Sequence, residues 1–142
     1  MKTFFQTIIA IFRASAFTSF KITLSSAQIK TANNIPVDIP QLPAPGAGYA
    51  WSIVMAELRF FAGSIAFTGT NFFLITDTAL VEQMVSGVIL NSSADSFSKF
   101  ISTGSSDIAI VENKKVTLVT NADSAIGNGH CTIYGIARKI KL

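Results

Sequence analysis

Four prolines within ten residues, at Pro36, Pro40, Pro43 and Pro45, constrain this chain more than any other feature of its sequence. Proline has no amide hydrogen to give to a sheet, so residues 35–41 are predicted to form an edge strand or an extended rim. The following run, residues 43–48, is stiff at its prolines and free at its glycines, which predicts a corner where the chain reverses. A strand follows this corner, whereas a phosphate-binding glycine loop would precede a helix.

A short helical turn is predicted ahead of the prolines. Ser25 and Gln28 have the spacing of a capping box, in which each side chain bonds the backbone amide of the other. The strand at residues 20–24 precedes this turn, and Asn33 and Asn34 end it.

The body of the chain is predicted to be β-structure. The longest strand is Tyr49–Phe61, and strict alternation along it defines two opposite faces. One face carries Val54, Ala56, Leu58 and Phe60, and the other carries Trp51, Ile53, Met55, Glu57, Arg59 and Phe61. Shorter strands are predicted at residues 71–76, 96–102, 108–111, 115–120 and 130–142, and a polar, flexible loop at residues 121–129.

Residues 79–90 have two interpretations. Leu80, Met84 and their apolar neighbours repeat at helical spacing and favour a short crossing helix, while a strand with a bulge at Gly87 is the alternative. The predicted fold is therefore mainly β: an antiparallel β-sandwich or jelly roll with an N-terminal amphipathic helix and one short crossing helix. The β domain is predicted to span residues 20–142.

Residues 1–19 are predicted to form an N-terminal arm. Their start imitates a secretion signal, but Arg13 intrudes before the small residues of a cleavage site, and the apolar run is too short to span a membrane. The spacing favours an amphipathic helix that docks on another protein, although folding back on its own domain or bundling with other copies remains open. The predicted docking residues are Phe4, Phe5, Ile8, Ile9 and Phe12.

Composition indicates a chain that contacts other chains. Hydrophobic residues make up 49% of its 142 residues, with 12 phenylalanines, which is more apolar material than a small monomer needs. Charged residues are 13% and the net charge of +3 shows no basic stripe along the sequence. Neither nucleic acid nor a membrane is therefore an expected partner.

No catalytic or metal-binding pattern is visible. His130 and Cys131 are adjacent, but neighbours in a strand point to opposite faces and cannot form a nucleophile–base pair. One histidine and one cysteine cannot supply a structural zinc site, and a single cysteine cannot form an intrachain disulfide. The carboxylates are scattered singly, and turn capping explains Asp77, Asp95 and Asp123. The chain is predicted to be non-enzymatic and to need no cofactor.

Residues 23–48, reading TLSSAQIKTANNIPVDIPQLPAPGAG, resemble the opening of small β-rich virion structural proteins of tailed phages. The residues that carry the resemblance are Thr23, Leu24, Ser25, Ser26, Ala27, Gln28, Ile29, Asn33, Pro36, Val37 and the run from Pro43 to Gly48. The resemblance covers the first third of the chain and becomes looser beyond it. It implies a virion component without specifying which one.

The function predicted from these observations is a structural protein of a tailed-phage virion, as a capsid decoration or head-fibre protein. It would dock by its arm onto the major capsid protein or another virion protein, on the capsid surface, after synthesis in the host cytoplasm. Its β domain would form a homo-oligomer, with a trimer as the first expectation. The predicted oligomer contacts are Trp51, Phe61 and Tyr134.

Two other functional classes remain open from the sequence. One is a receptor- or carbohydrate-binding module of a tail fibre, with Tyr49, Trp51 and the loop at residues 121–129 as its candidate site. The other is a secreted or membrane-active protein, suggested by the signal-like start.

Overall fold

The computed structural model describes residues 17–77, 82–102 and 111–142. The strands are β1 Phe17–Leu24, β2 Val37–Asp38, β3 Tyr49–Phe61, β4 Phe73–Asp77, β5 Glu82–Val85, β6 Ser96–Lys99, β7 Ile101–Ser102, β8 Val116–Thr120 and β9 His130–Lys141. One helix, α1 Ser26–Thr31, lies between β1 and β2. No helix within these ranges is long and apolar enough to cross a membrane.

The strands form two antiparallel sheets, which confirms the predicted mainly β, sandwich-like fold. Sheet I has the order β1-β9-β3-β6, and sheet II has the order β2-β8-β4-β5-β7. Leu58 and Ile133 of sheet I and Ile75 and Leu118 of sheet II are fully buried in one hydrophobic cluster. Burial of these apolar side chains between the sheets is the main force that holds them together.

The local signals around the prolines are confirmed. Ser25 caps α1, and its side chain and that of Gln28 form the reciprocal capping box. The short strand β2 lies at the edge of sheet II, where it pairs only with β8. An edge strand tolerates neighbouring prolines because its unpaired side has no partner strand that needs backbone amide donors.

The Pro/Gly corner at residues 43–48 is held by a turn from elsewhere in the chain. Gly46 and Gly48 have φ angles of 100° and 77°, which favour glycine. The Asn113 side chain accepts a hydrogen bond from the Gly46 amide at 2.9 Å, and the Glu112 carboxylate accepts one from the Gly48 amide. The corner therefore positions the start of β3 against the chain that leads into β8.

A bulge in β3 overturns the predicted faces of that strand before Val54, while the predicted alternation from Met55 to Phe61 is confirmed. The register against β9 shifts between Ile53 and Met55, so the alternation changes phase at Val54. Trp51 consequently shares the core side with Ala56 and is only 8% exposed. Its indole Nε1 donates to the Pro43 carbonyl oxygen at 2.6 Å. The prediction that placed Trp51 on the same face as Glu57 and Arg59 was wrong because it assumed one unbroken period of two.

The predicted crossing helix at residues 79–90 is also wrong. Within the described part of that segment, Glu82–Val85 is a strand that pairs with β4 on one side and β7 on the other. A central strand can bury adjacent residues, as Gln83 and Met84 do, so its sequence has no clear period of two. Gly87 is not helical. It lies where the backbone comes close to the Ser98 side chain, and its amide donates to Ser98 Oγ at 2.7 Å.

Two further boundaries differ from prediction. Strand β1 begins at Phe17, so residues 17–19 pair with β9 instead of belonging to the arm. The predicted strand at residues 96–102 is two strands in different sheets, and the chain passes between the sheets at the buried Phe100. The predicted strand at residues 108–111 lies outside the described residues except for Val111, which is not in a strand.

Candidate partner-binding face

The outer face of sheet I is the surface of this molecule that most resembles a binding site. It is built from alternate residues of β1 and β9 and from the part of β3 after the bulge, with β6 at its edge. Lys21, Tyr134, Glu57 and Lys99 form one row across the four strands. Side chains directly opposite each other in neighbouring strands share a face, so this row projects together from the sheet.

Large apolar and aromatic side chains are exposed on this face. Met55 is 45% exposed, Phe61 is 38% exposed, Phe97 is 51% exposed and Tyr134 is 37% exposed. The Phe61 ring stacks on the His130 ring, with centroids 4.8 Å apart and an interplanar angle of 12°. Several exposed apolar groups on one sheet face are typical of a surface that meets another molecule.

A groove of about 520 Å³ crosses the face beside Tyr134. Met55 and Ile136 form an apolar part of its lining, and Lys21, Glu57 and Gln41 form a polar part. The Lys21 ammonium lies 5.3 Å from the centroid of the Tyr134 ring, and the Arg59 guanidinium lies 5.9 Å from it. At these distances both cations can make cation–π contacts with the ring, so Tyr134 lies beside two positive charges.

A second groove, of about 420 Å³, lies at the β6 end of the same sheet. Arg59, Phe61 and Phe97 contribute to its lining together with Asp95. Asp95 accepts a hydrogen bond from the Ala62 amide at 2.9 Å, which is a long-range contact rather than the local turn cap that the sequence predicted. Arg59 of this groove lies beside Tyr134 of the first groove, so the two grooves belong to one continuous face.

The adjacent His130 and Cys131 point apart, as predicted. His130 is exposed on the outer face, and Cys131 is fully buried in the core. Burial raises the pKa of the Cys131 thiol to about 12, which keeps it protonated at neutral pH. The thiol therefore lacks both the partner and the ionised form that a nucleophile needs. Within the described ranges, no group of three or more His, Cys, Asp or Glu side chains is placed to hold a metal ion.

The structure places two of the three predicted oligomer contacts on the same face of sheet I. Phe61 lies opposite His130, and Tyr134 lies four residues further along β9, about 13 Å away at strand rise. The role of these two residues in oligomer contact stays a prediction, and Trp51 lies in the core. The predicted docking residues Phe4, Phe5, Ile8, Ile9 and Phe12 all lie outside the described residues.

The candidate residues of the carbohydrate-binding alternative are not brought together. Tyr49 pairs with Lys141 at one end of β9, whereas the loop at residues 121–129 precedes His130 at the other end. Trp51 is buried between them. These residues do not form one site.

The loop at residues 121–129 is held in place, which corrects the prediction that it is flexible. The Asn121 side chain accepts hydrogen bonds from the amides of Asn71 and Phe72 and donates to the Gly69 carbonyl. The Asp123 carboxylate accepts from the amides of Asn33 and Asn34 beyond α1. These side chains satisfy backbone groups that have no strand partner, and they connect the loop to residues 69–72 and to residues 33–34.

Sequence reasoning placed Met55 and Arg59 on one face of β3, but it missed that Lys21 and Phe97 of other strands share that face. Alternation in β1 and β9 indicates which of their residues share a side, but neither strand identifies its neighbour. The register that aligns Lys21 with Tyr134 joins residues 113 positions apart in the sequence. Only the folded sheet places them together.

Neither a protein-family model nor a curated protein matches this chain. Among solved structures, the chain is similar to one described as the cyanophage Pam1 capsid asymmetric unit, with a TM-score of 0.49 and 11% sequence identity. The similarity covers 88% of this chain and 84% of that chain. A likeness of this size supports no argument about function.

Proposed function

We propose that this chain is a non-enzymatic structural protein of a tailed-phage virion, as a capsid decoration or head-fibre protein. Its arm docks on the major capsid protein or another virion protein, and its β domain meets neighbouring subunits. The resemblance of residues 23–48 to virion proteins directs this proposal to the phage particle. The structural observation that carries it is the exposed apolar face of sheet I, since that face has the character of a protein contact surface.

The arm supplies the docking energy in this proposal. A fully buried Phe or Ile side chain contributes roughly 1.5–3 kcal/mol before ordering costs. A few such side chains per copy, repeated by the symmetry of an oligomer, are sufficient for firm attachment. Because β1 begins at Phe17, substitutions that test the arm should lie within residues 1–16, so that the pairing of β1 with β9 stays intact.

The test uses point variants of the full chain in particles assembled without the native protein. Phe5→Asp combined with Phe12→Asp places charges on the predicted apolar side of the arm, and is expected to reduce incorporation by at least tenfold. Thr7→Asp, on the opposite side of the predicted helix, is the matched control and is expected to incorporate normally. Incorporation of the double variant at normal copy number would contradict docking by the arm.

A further inference from the structure

The outer face of sheet I has an unbalanced charge. Its four cationic side chains are Lys21, Arg59, Lys99 and Arg138, and its one anionic side chain is Glu57. In the part of the chain that the structure describes, the one ion pair is between Lys115 and Asp38, away from this face. We propose that the outer face of sheet I binds an acidic surface of a different protein, centred on the groove beside Tyr134. The proposal does not depend on the virion role.

The groove has the composition of a protein-binding hot spot. Tyrosine, methionine and arginine are enriched at such sites, and here Tyr134 and Met55 line the groove while Arg59 approaches the Tyr134 ring. Lys21 and Arg59 approach the same tyrosine ring, so a carboxylate entering beside that ring meets two positive charges. Charge-assisted contacts of this kind set the choice of partner more than the total affinity.

A second copy of this chain is a poor partner for the face. Two copies meeting face to face would oppose like charges, which disfavours a symmetric contact. Five acidic side chains elsewhere in the described residues are bonded locally or buried. Asp38 pairs with Lys115, Asp77 is buried, Asp95 bonds the Ala62 amide, Glu112 bonds the Gly48 amide and Asp123 bonds the amides of Asn33 and Asn34.

The chain's own arm does not fit the face either. Residues 1–16 contain Lys2 and Arg13 and no acidic residue. Their charge has the same sign as the face, so they offer no electrostatic complement.

A protein surface fits the face better than a nucleic acid or an acidic polysaccharide. Glu57 lies in the same row as Lys21 and Lys99 and would repel a uniformly charged backbone crossing the sheet. The cations beside Tyr134 also compete with bases or sugars for its ring. A protein partner can place carboxylates against the cations and apolar groups against Met55 and Phe97.

The experiment measures binding of the full chain to a fluorescein-labelled random copolymer of glutamate and tyrosine, by fluorescence anisotropy at low and high salt. The double variant Lys21→Glu, Arg59→Glu is expected to lose at least about tenfold in affinity, because both charges beside Tyr134 are reversed. Lys30→Glu combined with Lys114→Glu makes the same change in net charge away from the face, and is expected to change affinity by less than about threefold. Equal urea midpoints confirm that each variant is folded.

One variant is expected to gain affinity. Glu57→Gln removes the negative charge from the row and should strengthen copolymer binding by about two- to threefold, which loss of folding cannot mimic.

Four results would overturn the proposal. The first is no measurable binding of the copolymer, and the second is an equal loss of copolymer affinity in the Lys30/Lys114 control. The third is tighter binding of oligo-dT or polygalacturonate that depends on Lys21 and Arg59. The fourth is self-association of the native chain in sedimentation that the Lys21/Arg59 variant abolishes. Incorporation into particles is measured separately through the arm, so failure of the virion proposal and failure of this one are distinguishable.

Discussion

The loop at residues 121–129 and the outer face of sheet I use their polar side chains in opposite ways. In the loop, Asn121, Asp123 and Asn128 each bond the backbone of another segment. On the face, Lys21 and Arg59 lie beside the ring of Tyr134 and make no ion pair within the described residues. The polar groups of the loop thus stabilise the fold, whereas those of the face are available to a partner.

This difference separates residues needed for folding from residues needed for binding. Both kinds alternate along β9, where Tyr134 and Ile136 project outward and Gly135 lies between them. Substitutions at neighbouring positions are therefore expected to have very different effects on stability.

The largest expected loss of stability is at Gly135. A Cβ at this position would overlap the Phe20 ring and lie 2.7 Å from the Met55 carbonyl oxygen. Gly135→Val is expected to lower the free energy of unfolding by about 3 kcal/mol or more, or to prevent folding. Urea denaturation compares it with Tyr134→Phe at the adjacent position, which is expected to unfold like the native chain. Equal urea midpoints for the two variants would contradict the assignment of Gly135 to the core and Tyr134 to the outer face.

The next largest loss is expected in the loop. Asn121→Ala leaves the amides of Asn71 and Phe72 without their acceptor, and should cost about 2 kcal/mol of unfolding free energy. Asn121→Asp keeps the acceptor and loses only the donor to Gly69, so its loss is expected to be smaller. Denaturant titration of both variants checks the order, and a larger loss for the aspartate variant would refute the assigned hydrogen bonds.

A smaller effect is expected from the buried thiol at alkaline pH. The folded Cys131 has a pKa of about 12, whereas the unfolded thiol ionises near its ordinary value of 9.0. The unfolded state therefore loses its proton first, and the stability contributed by the protonated thiol falls as the pH rises from about 9 to 12. Between pH 7.5 and pH 10 this contribution falls by about 1 kcal/mol.

Cys131→Ala removes that titration. The pH-dependent loss of unfolding free energy is expected to be smaller in this variant than in the native chain, although the alanine lowers stability by a constant amount. Identical pH dependence in the two proteins would show that the thiol is not buried in the folded state.

The smallest effect on stability is expected on the face itself. Arg59→Ala and Lys99→Ala each remove a cation that makes no ion pair within the described residues, and should change the free energy of unfolding by less than about 0.5 kcal/mol. A loss above about 1.5 kcal/mol in thermal or urea unfolding would mean that the face belongs to the folding core.

The sequence predicted the elements that local chemistry determines. The capping box of Ser25 and Gln28 and the limits of the strand Tyr49–Phe61 both depend on near neighbours, and both are confirmed. Features that depend on partner strands were missed. The bulge that turns Trp51 inward depends on pairing with β9, and the strand Glu82–Val85 is defined by its neighbours β4 and β7.

The candidate site was predicted only in part for the same reason. Phe61 and Tyr134 stood out as aromatic residues in strands, and Arg59 was placed on the face of Phe61. The cations Lys21 and Lys99 come from strands whose pairing the sequence did not reveal. Net charge and charge runs along the sequence did not reveal the basic face, because β1, β3, β6 and β9 each contribute one cationic residue to it.

Hydroxyl-radical footprinting of the free chain and of assembled particles tests the central claim most directly, since it reports side-chain exposure on the outer face of sheet I. Tyr134, Met55 and Phe97 are expected to react readily in the free chain and to become protected by at least about threefold in the particle. Ile35, which is 65% exposed and lies between α1 and the sheet II strand β2, serves as the internal reference. Unchanged reactivity of Tyr134, Met55 and Phe97 after assembly would contradict the account.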